Sequence, residues 1–211
     1  INFSGNGGTE KSAYGFGISY LNQDGIVGGS KNNFERLTAR INFQYDILDN
    51  LKLTANGLHT ISRKENLQEG GIGAVLYNAV NINPTLAVRD QDGAFSLAND
   101  ISQIEIINPL AQIENSFNTS RVSKFSAVVG LDYTFLKNFK ASSKLQINHA
   151  NVRDDVFRPE VFYGNGKAAN FGDITDDNIT NFVVDFGADY DDFTWDNYIS
   201  YNNTFNDAHD I

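Results

Sequence analysis

The sequence predicts an all-β fold, a segment of an antiparallel transmembrane β-barrel with about six full strands. Three observations predict it. Apolar and polar residues alternate with period two over stretches of about ten residues or more, the length a tilted strand needs to cross a bilayer. The connections between these stretches alternate between tight turns and long loops. No apolar run approaches the roughly 20 residues of a membrane-crossing helix.

Each strand follows from its own alternation, because successive side chains of an extended chain point to opposite faces. In AYGFGISY, Tyr14, Phe16, Ile18 and Tyr20 share a large apolar face, and Ala13, Gly15, Gly17 and Ser19 leave the other nearly bare. The two glycines mark either bulges or room for something packed inside a barrel. In RLTARINFQYD, Leu37, Ala39, Ile41, Phe43 and Tyr45 oppose Arg36, Thr38, Arg40, Asn42, Gln44 and Asp46. In NLKLTANGLHTIS, Leu51, Leu53, Ala55, Gly57 and Ile61 oppose Lys52, Thr54, Asn56, Thr60 and Ser62, while Leu58 and His59 break the rule. RVSKFSAVVGLDYTF sets Phe125, Ala127, Val129, Leu131, Tyr133 and Phe135 against Lys124, Ser126, Gly130, Asp132 and Thr134. NFKASSKLQINHAN sets Phe139, Ala141, Leu145 and Ile147 against Lys140, Ser142, Lys144, Gln146 and Asn148. Near the end, Phe193, Trp195, Ile199, Tyr201 and Phe205 oppose Thr194, Asp196, Tyr198, Ser200 and Asn202.

Tight turns are expected around Asp49 and Asn50, around Lys137 and Asn138 in a visibly similar stretch, and from Asn206 to His209. Long connections are expected over 22–33, 64–120 and 151–180. Short turns on one side and long loops on the other suit the periplasmic and extracellular ends of an outer-membrane barrel, an asymmetry a soluble sandwich has no reason to keep. Ile1 to Ser4 reads as the tail of a preceding strand, and 209–211 as the start of another. An open sheet with a lipid face would leave unpaired edges in hydrocarbon, so the expected parent is a larger barrel.

Composition narrows the function. The chain has 211 residues, a formal net charge of −10, no cysteine and no methionine. Its pI of about 4.6 argues against nucleic acid, which requires a basic patch. Without cysteine there is neither a disulfide framework nor a thiolate metal site. A mean hydropathy of −0.34 resembles that of a soluble acidic protein, but a membrane barrel gives the same value because its apolar residues alternate with polar ones.

Chemistry-bearing motifs are few, and none implies a cofactor, a metal or an enzyme. GNGGTEKS (5–12) misses the phosphate-loop pattern because Glu10 stands where a glycine must precede the lysine, so it reads as a turn. His59, His149 and His209 fall on three strands without an i, i+4 pair, which disfavours zinc. His59 and His149 lie near the long-loop ends of their strands, where an amphipathic ring suits a membrane interface. Asp90-Gln91-Asp92-Gly93 lacks the third acid and final glutamate of a calcium loop and, like Asp173, Asp176 and Asp177, reads as solvated loop acid. No Ser/His/Asp, Cys/His or paired-carboxylate arrangement is specific. Arg36, Arg40, Lys52, Lys124, Lys140 and Lys144 share the polar parity. They form either a solvated face neutralised by Asp46 and Asp132 or a set of contacts to a plug held in the lumen.

The loop 64–120 exceeds the roughly 15 residues beyond which loops are usually functional or disordered. Helical turns are expected over 74–80, ending before Asn83-Pro84, and over 109–117. This loop and 153–180 are expected to line an extracellular vestibule. Tyr77, Phe157, Phe162 and Tyr163 are its candidate substrate or lid contacts, since sugars and peptides both stack on rings.

In order along the chain, the sequence resembles the SusC/RagA-type TonB-dependent outer-membrane transporters. The residues that carry the likeness are AYGFGISYLNQDGIV (13–27), FERLTARINFQYDILDNLKLTANG (34–57), VNINPTLAVRDQDGAFS (80–96), INPLAQIE (107–114) and the final WDNYISYNNTFNDAHDI. The resemblance implies a 22-stranded barrel around an N-terminal plug, closed by a SusD-like surface lipoprotein. It also implies import of oligosaccharides or peptides across the outer membrane of a Gram-negative cell, driven by the TonB complex. No plug, TonB-contacting segment or barrel C-terminus falls within these residues, so none of those functional residues is placed. The residues alone leave open a passive porin, a soluble β-sandwich binding module and, more distantly, an outer-membrane enzyme barrel.

Overall fold

A computed structural model describes residues 1–67, 71–98, 105–169, 180–205 and 209–210. Seven strands form one antiparallel meander in chain order: β1 (Asn2–Gly8), β2 (Ser12–Asp24), β3 (Asn33–Leu48), β4 (Leu51–Glu65), β5 (Phe117–Phe135), β6 (Phe139–Arg158) and β7 (Phe182–Tyr201). Six are long and β1 is short, as the alternation predicts. Two residue pairs further on, β8 (Thr204–Phe205) pairs with β9 (His209–Asp210). The expected turn between them, over 206–208, lies outside the described residues, as do Asp173, Asp176, Asp177 and Ile211.

The register fixes the two faces. One row of paired residues runs Phe16, Ile41, Gly57, Ala127, Ile147 and Phe193 across β2–β7. The neighbouring row runs Gly15, Asn42, Asn56, Val128, Gln146 and Thr194. Every strand therefore contributes its apolar parity to the same side. Leu58 and His59 do not interrupt β4: Leu58 sits on the polar face opposite Arg40 and Ser126, and His59 sits on the apolar face beside Phe125. His59, Phe125 and His149 form one row near the long-loop end, the height expected for both histidines.

Among the described residues nothing covers the apolar face. Phe16, Ile41, Leu145, Phe193 and Trp195 are all exposed, and no sheet residue belongs to the buried hydrophobic core. On β4 the apolar parity runs from Leu51 to Ile61, about 34 Å along the strand. A tilt of about 45° projects that onto roughly 24 Å, the height of a barrel's apolar band. Tyr45, Tyr133, Phe135, Phe139 and Tyr201 gather at the short-turn edge, with Phe135–Phe139 and Phe139–Tyr201 ring centroids 5.5 and 4.8 Å apart.

Two expectations about connections need correction. β4 ends at Glu65, β5 begins at Phe117 and β6 runs to Arg158, so the long loops cover 66–116 and 159–181 rather than 64–120 and 151–180. At the strand ends charged and polar residues fall on both faces, and Val152, Val156 and Phe157 break the alternation, so the hydrophobic period stops while ladder pairing continues. The two similar tight turns also differ. Leu136 and Lys137 take left-handed φ values of 47° and 60°, whereas Asp49 and Asn50 do not, and β3 instead shifts register between Asp46 and Leu48.

Candidate functional site

The polar face carries all six predicted cations, but they divide into two groups. Near the short-turn end Lys52 lies 3.6 Å from Asp46, and Lys140 lies 3.0 Å from Asp132, which also accepts from Ser142 Oγ at 2.6 Å. Lys144 pairs across the ladder with Asp196 and lies 5.7 Å from the ring centre of Tyr198. Further up, Arg36, Arg40 and Lys124 form no ion pair among the described residues. Arg40 lies flat across Gly17, where an added Cβ would come within 2.7 Å of its Nε. The bare patch at Gly17 is therefore filled by this chain's own arginine, while Gly15 keeps ordinary clearance on every side.

Above the long-loop ends of the strands sits a compact cap. It holds α1 (Val75–Asn81) and α2 (Pro109–Glu114), close to the helical turns expected from the sequence. Asn108 caps α2, accepting from the backbone N–H groups of Leu110 (3.1 Å) and Ala111 (3.4 Å). Pro109 occupies the first helical position, where a missing N–H costs nothing. The Asn108 amide also donates to the carbonyls of Val88 (2.9 Å) and Ser96 (3.2 Å). Asn78 is fully buried; it donates to Gln112 Oε1 at 2.7 Å and accepts from the Ile107 N–H at 3.3 Å. Gln112 in turn donates to the Gly73 carbonyl at 2.8 Å. Around these amides pack Leu67, Val75, Ala98, Ile106, Ile107 and Ala111.

The cap is tied to the loop between β2 and β3. Lys31 donates to the Ser116 carbonyl at 3.0 Å, with its Nζ 3.5 Å from the centre of the Phe117 ring. Gly28, at φ 91°, lies so close to Leu67 that a Cβ there would overlap it.

A cavity of about 420 Å³ opens where the cap meets β5 and β6. Asn66, Gly73, Glu105, Gln112, Phe117 and Phe157 contribute to its wall, together with Tyr163. Phe157 and Tyr163 are thus brought together, although Phe157 belongs to strand β6 rather than to a loop and packs against Phe117 at 5.8 Å. Tyr163 is partly buried, and that burial raises its pKa against the opposing pull of Arg158, so its hydroxyl stays protonated. Tyr77 lies on α1 and Phe162 is exposed, and neither lines this cavity. Sequence reasoning missed the amide clamp of Asn78, Asn108 and Gln112. The Asn-Pro pair ahead of Leu110 was its one visible signal.

Asp90 uses its carboxylate within its own turn, accepting from the N–H groups of Asp92 (3.0 Å) and Ala94 (2.9 Å). That geometry is an Asx turn and accounts for the spacing of the two acids. Arg89 closes the same turn by donating to the Gly93 carbonyl at 2.8 Å, and pairs with Glu114 at 3.3 Å.

No family model matches the sequence. The TonB-dependent receptor P39 of Formosa agariphila is 27% identical over 218 residues, an alignment that takes in 100% of this chain and 18% of that protein. The chain thus spans about a fifth of the length of the curated relative it matches. Among solved structures, the RagAB peptide transporter superposes with a TM-score of 0.74 at 17% identity, over 99% of this chain and 22% of that one. The same importer in its 'open-open' state gives a TM-score of 0.72 at 17% identity, and in its 'closed-closed' state 0.69 at 18%, each with the same coverage. An uncovered apolar face of membrane height, an antiparallel meander with a one-sided loop cap, and these likenesses agree: from end to end the chain resembles a barrel segment of a SusC/RagA-type TonB-dependent transporter.

Proposed function

We propose that this chain is part of the barrel wall of an outer-membrane transporter that imports peptides or oligosaccharides, driven by TonB and served by a SusD-like surface lipoprotein. The observation that carries this reading is the apolar face: exposed aromatic and aliphatic side chains, continuous across β2–β7 and roughly 24 Å tall. A water-soluble sheet of this size would have to cover such a surface, whereas lipid covers it in a barrel. The RagAB proteins, with the same fold over this stretch, are peptide transporters, which supports transport and favours peptide as cargo.

The two ends of the sheet then take different roles. The short turns face the periplasm. The cap over 66–116 and the segment 159–169 face outward, with Tyr77, Phe157, Phe162 and Tyr163 as candidate contacts for substrate or lipoprotein lid. On the lumen side Arg36, Arg40 and Lys124 are the best-placed contacts to a plug domain. Lys52 and Lys140 already have carboxylate partners, and Lys144 faces Asp196. The TonB complex would act through that plug.

The test is detergent extraction of the native protein from outer membranes, with intact masses of everything recovered. A chain several times longer than these 211 residues, with a co-purifying lipoprotein, is expected. A free chain of this size in the aqueous fraction would overturn the reading. For the lumen contacts, R40E is expected to loosen plug docking and slow uptake; unchanged docking and uptake would remove Arg40 from that role.

A further inference from the structure

The two faces of β6 and β7 exchange character partway up the sheet. On the face that carries Arg40 and Asn42, the inner one, β6 and β7 are polar up to the pair Asn148–Asp192. Lys140, Lys144 and Gln146 there stand opposite Ser200, Asp196 and Thr194. Above that pair the inner positions turn apolar. Ala150, Val152 and Val156 stand opposite Tyr190, Ala188 and Val184, and Phe186 stands opposite Asp154. Val122 of β5 continues the row of Val152 and Ala188. The outer positions change in the opposite sense at the same height. Ile147 and Phe193 give way to His149 and Asp191, then to Asn151 and Asp189, with Asp155 and Asp185 further up.

The outer side above this switch suits water. Its charges pair along the surface, Arg121 with Asp155, Arg153 with Asp189 and His149 with Asp191, and each of these side chains is about half exposed or more. Lipid at this height would have to desolvate four carboxylates. From His149 to Arg158 the strand rises about 30 Å, or roughly 21 Å in height at a tilt of about 45°. On the membrane reading, β6 and β7 therefore stand clear of the apolar band, charged outside and apolar within.

Among the described residues nothing covers that inner wall. Val184, Phe186 and Tyr190 are 39%, 49% and 60% exposed. A further strand beside β7 would shield its edge and leave its inner face open. Val156 also lines the 420 Å³ cavity, so the wall runs into that cavity without a break.

The chemistry of the wall selects what it takes. Charge is segregated to the outer side: above the switch the inner positions of β6 and β7 keep Asp154 and Arg158 alone. A glycan carries hydroxyls all round its rings, and each one taken from water needs a partner. Valine side chains supply none. Apolar side chains of a peptide need no partner and gain from burial. A lid closing over the cap would lie above this wall.

We infer that Val122, Val152, Val156, Val184, Phe186 and Tyr190 form a wall at the outer mouth that binds apolar side chains of an extended peptide cargo. The inference rests on the transport reading above and narrows its cargo.

The experiment uses the full-length transporter, with any lipoprotein that co-purifies, extracted from outer membranes in mild detergent. The probes are an uncharged peptide rich in leucine, a peptide of equal length with serine in place of each leucine, and a neutral oligosaccharide. Titration calorimetry gives the dissociation constants, and heat-modifiable migration reports folding. Wild type is expected to bind the leucine peptide about tenfold or more tighter than the serine peptide, as burial of one or two apolar side chains provides. F186S is expected to lose most of that preference, whereas V183S, on the outer side at the same height, keeps it. Should F186S fail to fold, V156T, which adds polarity at nearly constant volume, is expected to weaken the preference. A188C is expected to react with a maleimide in the peptide-free transporter and to be protected by the leucine peptide. A folded F186S or V156T that binds as wild type does would overturn the inference. So would equal binding of the two peptides, or tighter binding of the oligosaccharide than of the leucine peptide. An A188C thiol already shielded without peptide would show that another segment or the lid covers the wall, and would overturn it too. All of these outcomes leave the transport reading intact. Recovery of the protein from the aqueous fraction would overturn both.

Discussion

Phe16→Arg puts the assignment of faces to its most direct test. Phe16 lies in the middle of the apolar parity of β2, between Tyr14 and Ile18 and opposite Ile41. It is 41% exposed, and its ring stands 5.9 Å from that of Phe3. If this face meets lipid, a midplane arginine costs about 2–4 kcal/mol. Losing the ring pair adds about 0.5–1.5 kcal/mol. The sum, about 3–5 kcal/mol, lowers the folding equilibrium by roughly two to four powers of ten.

The matched control is Asn42→Arg, at nearly the same height but on the polar face, opposite Gly15 and Asn56. There the new charge meets water or lumen, and the expected change is within about 0.5 kcal/mol. The assay is urea-dependent refolding of the full-length barrel into lipid vesicles, followed by heat-modifiable migration. A large loss for F16R with little change for N42R is the expected pattern. Equal costs, or a larger cost for N42R, would refute the assignment of faces and the register behind it.

Asn108→Ala removes the α2 cap together with two hydrogen bonds to loop carbonyls, so the cap should lose about 1–2 kcal/mol locally; limited proteolysis should then cut within 66–116 faster while the strands stay protected. Lys137→Gly removes a left-handed strain at φ 60° and should stabilise refolding by about 0.5–1 kcal/mol, measured by the urea midpoint. Trp195 is 67% exposed on the apolar face and donates to Ser143 Oγ at 3.0 Å, so lipids brominated along the acyl chain should quench its fluorescence, read as the difference between wild type and W195F.

The faces of the sheet were legible because period two is a local property. Tyr14, Phe16 and Ile18 declare their side without any knowledge of a partner strand. What depends on register was not legible. Arg63, Arg121 and Arg153 lie far apart in the chain, and only ladder pairing sets them in one row. The strand ends were misjudged for a related reason. Asn118 to Arg121 are polar on both faces, and Asp154, Asp155, Val156 and Phe157 put one polar and one apolar residue on each face, so alternation stops marking a strand that backbone pairing continues. On that account the sequence pattern places Phe157 in a loop, whereas it belongs to β6. The cap was half legible: Pro109 and the apolar run after it announced α2, while the contact of Asn78 with Gln112 joins two segments that no pattern links.

The placement of the buried core ties these observations to how the segment is held together. Among the described residues, every buried hydrophobic side chain belongs to the cap and none to the sheet. The cap can exclude water with its own residues: seven buried aliphatic side chains, among them Leu67 against Gly28, surround an amide network whose donors and acceptors meet each other. The sheet cannot. Its ladder hydrogen bonds are made, but among the described residues nothing covers its apolar face, and its other face is lined with charged and polar side chains. On the membrane reading proposed above, its stability comes from lipid on one side and from neighbouring strands at its edges. The cap meets the sheet through β4, β5 and β6 and through Lys31, so a change of cap position would be felt first at Phe117 and Phe157, where the 420 Å³ cavity opens.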